Sequence, residues 1–235
     1  MNPSDPEFWV AVLKIVGIDI VLGGDNAVVI ALAARSLPPH QKKLAIFWGT
    51  GAAIVLRLVL IFIALELLRI PFLKLAGGLL LLWIGMKLML DEDGSEHAIS
   101  AGAGLMAAIR TIVIADAVMS VDNVIAVAAA AKDSFALAMF GIALSIPIIV
   151  FTSQLLLKFM ERFPIIIVLG AALLGFVAGE MMWNDPAVKP WTGAYPAWLQ
   201  YLAGAIGSIV VVMWGRWVNA RRRTAAAAKQ AAGPV

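Results

Sequence analysis

The chain has 235 residues, 62% of them hydrophobic and only 14% charged, with mean hydropathy +0.94; soluble domains are roughly half apolar and a quarter charged. It contains no cysteine, and its two histidines, His40 and His97, fall in predicted loops, which excludes disulfides, thiolate metal sites and cysteine nucleophiles. The net charge of +3 is gathered in a few short basic clusters, so the basic balance reads as membrane topology and not as a nucleic-acid surface.

Seven apolar runs reach the ~20 residues needed to cross ~30 Å of hydrocarbon. Ahead of them, MNPSDPEFWV lacks a basic n-region and a cleavage site, so no removed signal peptide is expected. The first run, 8–34, carries Asp19, Asp25 and Asn26 near its middle, and the second, 44–67, carries Arg57. The third, 71–90, opens on PFLKLAGG. A polar, acidic linker follows, DEDGSEHAISAGAG at 91–104, whose Asp91, Glu92, Asp93, Glu96 and His97 read as a solvated loop before they read as a regulatory metal site. The fourth run, 105–131, contains Asp116, Asp122 and Asn123; the fifth, 135–159, contains Thr152, Ser153 and Gln154, expected to bond between helices. After the sixth, 164–182, Trp183, Trp191, Tyr195 and Trp198 resemble an interfacial aromatic belt. The seventh, 197–218, leads into the basic tail RRRTAAAAKQAAGPV.

Arg35, Lys42 and Lys43, then Lys158 and Arg162, then Arg216 and Arg221 to Arg223 occupy alternate connections. The positive-inside rule therefore puts the N-terminus outside and the linker and C-terminus in the cytoplasm. Lys132 and Lys189 fall on the opposite side.

A repeat lies beneath this layout. IVGIDIVLGGDNAVVIALAARS at 15–36 matches IVIADAVMSVDNVIAVAAAAKD at 112–133, with Asp19 on Asp116, Asp25 on Asp122 and Asn26 on Asn123, a constant offset of 97. PFLKLAGG at 71–78 likewise matches PIIIVLGA at 164–171 at an offset of 93. The expected architecture is an all-α membrane protein of about seven transmembrane helices. Residues 1–90 and 105–182 would be three-helix repeats around the linker 91–104, and 183–235 would supply the seventh helix and tail. Because three is odd, the copies cross in opposite directions, as in many secondary transporters with sites near the midplane. The two Asp-Asn pairs should then meet at mid-depth.

Four aspartates at mid-helix cost about 2.5–3.5 kcal/mol each on insertion scales, and such groups mark ion or proton pathways. The nearby cations are Lys14 and Arg57, which align with Thr111 and about Ile149 in the second copy. Two bases do not neutralise four carboxylates, so a bound cation or protons must do the rest. Asp19 and Asp25 lie about 9 Å apart along an unbroken helix and about 240° apart around it, too far for one ion. Either Gly23-Gly24 unwinds the first helix, or the site has two layers. In the second case Asp25, Asn26, Asp122 and Asn123 are central, with Asp19 and Asp116 further along the pathway. The layered arrangement is the expected one, because the second copy has Ser120-Val121 in place of the glycines. Carboxylate and amide oxygens suit Mg²⁺, Ca²⁺ or Mn²⁺. Met119, close to the second motif, reads as packing. Glu66, Lys87 and Glu180 read as interfacial groups that snorkel.

GGDNAVVIALAARSLP, repeated as SVDNVIAVAAAA in an inverted three-helix unit, resembles the TerC family of bacterial membrane proteins, in its short form within the LysE-type transporter superfamily. The resemblance covers the first six runs. It implies manganese export, a bacterial cytoplasmic-membrane location, and metal-binding roles for Asp19, Asp25, Asn26, Asp116, Asp122 and Asn123. The family takes its name from tellurium resistance, but tellurite is an anion, and four carboxylates oppose its passage. The function expected is export of a divalent cation, Mn²⁺ foremost, by proton exchange. Its partners are the lipid bilayer, the ion and protons, with no resident cofactor, no nucleic acid and no assigned oligomeric state. No G-x-x-x-x-G-K-[ST] occurs, so no ATP site is expected. One rival is a membrane scaffold or stress-complex subunit without transport. Another is an intramembrane aspartyl protease, for which LGGD puts Leu22 where the G-x-G-D motif needs glycine and no Tyr-Asp partner is present.

Overall fold

A computed structural model of the chain describes residues 6–67, 69–90, 101–131 and 134–231, and within these ranges the side chains of several residues, Asp122 among them, lie outside the description. The linker carboxylates Asp91, Glu92 and Asp93, with Glu96 and His97, and also Lys132, lie outside the described residues. Those described are helical, with short connections and no strand among them. Hydrocarbon offers the backbone no hydrogen bonds, and only a helix satisfies every donor and acceptor within its own segment. In chain order the helices are α1 (Pro6–Leu22), α2 (Gly24–Ala34), α3 (Pro39–Leu67), α4 (Leu73–Met89), α5 (Ala101–Ala130), α6 (Phe135–Arg162), α7 (Ile165–Trp183), α8 (Lys189–Thr192) and α9 (Leu199–Ala231).

Five of these, α3, α5, α6, α7 and α9, are long and apolar enough to cross a membrane, and α1 with α2, bent by 48° at their break, adds a sixth if the pair is one span. The run expected at 71–90 is realised as α4, which has 17 residues and is about 25 Å long at 1.5 Å per residue. It is short because Pro71 and Phe72 form a turn, with Phe72 left-handed at φ 66°. At the other boundaries helix extends further than expected. α5 takes in the last residues of the linker from Ala101, and α9 continues through the basic tail to Ala231.

Small residues set the closest helix approaches, as is usual where lipid removes the hydrophobic drive between helices. A Cβ on Gly175 or Gly179 of α7 would fall on the backbone of Gly207 or Ala203 of α9. Ser208 Oγ donates to Ala172 O across that seam at 2.7 Å. α4 joins the same group through Gly85, which rests on Leu174 and Val211. Two further contacts are related by the sequence repeat. A Cβ on Gly141 of α6 would strike Ile15 of α1, and one on Gly49 of α3 would strike Ile112 of α5. The largest buried cluster draws residues from α2, α3, α4, α5, α6 and α7, including Leu32, Ile46, Leu81, Ile112 and Leu174.

The helix ends are tied in two sets. Asp185, fully buried after α7, accepts from the backbone N–H of Phe72 (3.0 Å), Leu75 (2.9 Å) and Ala187 (2.7 Å). It thereby caps the start of α4 from a different part of the chain. Burial pushes its carboxyl upward, but the N–H groups of Leu75, Ala187, Phe72 and Lys74 outweigh that and hold it below its usual value. At the other end of α4, Arg35 donates to Leu90 O at 2.9 Å and Asn219 to Met89 O at 3.3 Å. Lys42 reaches Glu161 at 2.6 Å.

Candidate cation site

The glycine pair in the first copy breaks the helix. α1 stops at Leu22 and α2 restarts at Gly24, with Gly23 between them at φ −106°, ψ 8°. The N–H of Gly23 donates to Asp19 O at 2.8 Å, and that of Asn26 donates both to Gly23 O at 3.1 Å and to Asp25 Oδ1 at 2.8 Å. A Cβ on Gly23 would fall on the carbonyl of Asp19, so the tight turn needs a residue without one. Asp25 thus sits in the first turn of a new helix, where unpaired N–H groups and the helix dipole favour negative charge. The second copy shows no such break, and α5 runs unbroken through Ser120-Val121.

Asp19 and Asp116, related by the repeat, meet on Arg57 of α3. One terminal nitrogen of the guanidinium pairs with Asp19 Oδ1; the other donates to Asp116 Oδ1 at 2.6 Å. Its Nε donates to Ser120 Oγ at 3.0 Å, and that hydroxyl lies 3.1 Å from Asp116 Oδ2. The second oxygen of Asp19 accepts from Ser145 Oγ of α6, which also lies 2.8 Å from Ile142 O. Arg57 is 2% exposed, Asp19 3% and Asp116 7%, so the three charges form a dry bridge joining α1, α3 and α5. Ionised, they sum to −1. The planar guanidinium suits this place because separate N–H groups reach separate partners at fixed angles. Lys14, the other cation expected nearby, is exposed on α1 and is not part of the bridge.

Seven residues on from Asp19, Asn26 is 3% exposed, and neither its Oδ1 nor its Nδ2 has a hydrogen-bond partner. Among the described residues, no three acidic or histidine side chains converge on one point; the Asp122 side chain stands outside that statement. Asn123 is half-buried on α5. Met119 packs into the main buried cluster, as its sequence setting suggests. Ser153, expected to bond between helices, instead donates to Ile149 O in its own helix at 2.7 Å, and Gln154 is exposed. Ser120 and Ser145 are the site residues that sequence reasoning missed. Ser120 carried a signal, one turn after Asp116 on the same face. Ser145, 126 positions from Asp19, carried none.

The sequence profile of the integral membrane protein TerC family matches residues 4–223. The membrane protein YjbE of Bacillus subtilis is 45% identical over 179 residues, covering 76% of this chain and 82% of that protein. The inner membrane protein YgdQ of Escherichia coli is 26% identical over 188 residues, covering 73% and 79%. For YegH of Escherichia coli the figures are 28% over 190 residues, 73% of this chain but 36% of that longer protein. No solved structure matches. A family profile that takes in nearly the whole chain, with YjbE at this identity, shows that this integral membrane protein belongs to the TerC family.

Proposed function

We propose that the protein is a secondary transporter that exports a divalent metal cation, Mn²⁺ foremost, in exchange for protons across the bacterial cytoplasmic membrane. The observation that carries this reading is Asn26: a buried amide with no partner, beside Asp25, at a break in a membrane helix. An unsatisfied amide in a dry interior costs a few kcal/mol, and a ligand that it serves explains its presence. The donors at hand are oxygens, and the chain has no cysteine, which favours hard cations over Zn²⁺ or Cu⁺. Among hard cations, the family resemblance favours Mn²⁺. In this reading Asp25, Asn26, Asp122 and Asn123 take the cation, while Asp19 and Asp116 form the neighbouring layer on Arg57. A carboxylate that gives up a divalent ion in a dry interior needs replacement charge, and protons supply it.

Two features support seven crossings and an inverted repeat. α4 is tied at one end to the loop after α7 through Asp185, and at the other to Arg35 and Asn219, as a crossing helix would be. The reciprocal pairs Ile15–Gly141 and Ile112–Gly49 are what a pseudo-two-fold axis generates. The positive-inside rule then favours an outer N-terminus and a cytoplasmic C-terminus.

Asp25→Asn and Asp122→Asn should each abolish the manganese tolerance that the parent confers on cells, with membrane levels unchanged. Parental tolerance in both variants would put the central site elsewhere. A second reading, a membrane scaffold without transport, draws on the Arg57 bridge, which gives Asp19 and Asp116 a structural reason to exist. In that case the variants would lose partner assembly and not ion flux.

A further inference from the structure

A groove of about 400 Å³ opens where α4 ends, α7 begins and α9 passes into its basic end. Met89 of α4 and Ile167 and Val168 of α7 give it an apolar wall, and Arg216, Asn219 and Ala220 of α9 line the rest. α9 is pinned to α4 at this point: a Cβ on Gly215 would strike Met89, and Asn219 donates to Met89 O at 3.3 Å. The volume is within the range of small-ligand sites.

The depth of the groove follows from the chain. Met89 is the last residue of α4, and Ile167 lies in the first turn of α7. Arg216 stands about 26 Å along α9 from Leu199 at 1.5 Å per residue. All three are therefore at one boundary of the hydrocarbon, where Trp214 and Trp217 are 50% and 48% exposed, as aromatic residues of the interface are. An isolated arginine at this depth ordinarily extends its charge into water. Arg216 instead lines a cavity with an apolar wall, and no carboxylate among the described residues pairs with it. Arg221, just beyond, is engaged on the Trp217 ring at 3.8 Å.

A ligand for this groove must be apolar along one part and anionic at one point, and must reside at the membrane boundary. We propose that the groove holds an anionic phospholipid, with its phosphate on Arg216 and the upper part of one acyl chain along Met89, Ile167 and Val168. A guanidinium can offer a phosphate two N–H groups at once, and basic pockets between membrane helices take such headgroups. The lipid joins α4, α7 and α9 at their shared end, so its binding stabilises the bundle by mass action. This inference does not rest on the transport reading.

The test is thermal unfolding of the purified full chain in neutral detergent, titrated with phosphatidylglycerol, with phosphatidylcholine of the same chains, or with glycerol 3-phosphate. In the parent, phosphatidylglycerol should raise the midpoint saturably, and neither other probe should match it. Arg216→Gln, at an exposed position, should start from the parental midpoint. It should need about 5- to 10-fold more phosphatidylglycerol for half the effect, the size of one charged contact. Ala220→Phe, which puts bulk into the groove and leaves the charge, should also weaken the response. Arg221→Gln removes an equal charge outside the groove and should respond as the parent does. Equal responses to the two phospholipids, or of the parent and either groove variant, overturn the inference; parental behaviour of Arg216→Gln is also what a groove filled by the acidic linker would give. An equal loss in Arg216→Gln and Arg221→Gln overturns it in favour of diffuse attraction to a basic tail, and an equal shift with glycerol 3-phosphate in favour of a free phosphate ester. A parent whose midpoint phosphatidylglycerol does not move overturns it outright.

Discussion

Arg57 decides what the interior of the protein can be. One guanidinium on α3 satisfies two aspartates and a serine from α1 and α5, and it has no basic counterpart in the second repeat, where about Ile149 aligns. Removing one member of a buried charge network strands the others, typically at a cost of about 3–5 kcal/mol. Arg57→Met should therefore lower the thermal midpoint in detergent sharply. Adding Asp19→Asn and Asp116→Asn to the same chain should recover much of the loss, because the stranded charges are gone. An unchanged midpoint in the single variant would show that the bridge carries no weight in the folded state. The aspartates and asparagines were legible in the sequence because each lies inside an apolar run and recurs at a constant offset. Of their partners, Arg57 was legible as a nearby cation, but its joining of the two copies was not. Arg57 stands 38 positions from Asp19 and 59 from Asp116, so only the packing of α3 between the repeats reveals the bridge.

Two kinds of joint hold the helices: small-residue seams in the hydrocarbon and polar latches at the ends. In the seam between α7 and α9, a side chain at Gly179 would meet the Ala203 backbone, whereas one at Gly17 of α1 faces open space. Gly179→Val should destabilise by roughly 1–3 kcal/mol through overpacking. Gly17→Ala should be neutral or slightly stabilising, as it removes backbone freedom from the unfolded chain. Equal midpoints for the two would remove the seam as a determinant of stability. The Asp185 latch makes a pH-dependent prediction. Its carboxyl is held below the usual value of 3.8, so the stability that it confers is present above that pH and lost as pH falls through the lower, folded-state value. Asp185→Asn gives up at least one N–H acceptor and should cost roughly 1–3 kcal/mol at neutral pH. The gap between parent and variant should close in acid below the ordinary carboxyl range, as urea titration across pH will show. A gap constant with pH would mean that the charge plays no part. Helix existence was legible throughout from apolar length. The break at Gly23 was legible as one of two options, from its glycine pair. The shortening of α4 was not, because it depends on Asp185, far along the chain, capping a turn that contains a left-handed Phe72.

For the whole molecule, we propose that two related halves enclose a pathway for a divalent cation. The repeat offset of 97 predicted that Asp19 and Asp116 would be equivalent, and both reach the same guanidinium. The sequence pattern already pointed to two layers, with Asp19 and Asp116 set apart from the two Asp-Asn pairs; what it did not supply is the shared guanidinium that occupies them. Charge counting treats all four aspartates alike, whereas geometry places two of them on Arg57. In the proposed transport cycle, Asp25 and Asp122 are the carboxylates that exchange one cation for another. The most direct test is Mn²⁺ flux in proteoliposomes of the purified chain, with and without an imposed pH gradient. Mn²⁺ movement should accelerate when protons are supplied on the opposite side, be lost in Asp25→Asn, and be accompanied by proton movement the other way. Liposomes carrying folded protein that pass no more Mn²⁺ than empty ones, at any pH gradient, would contradict the proposed pathway.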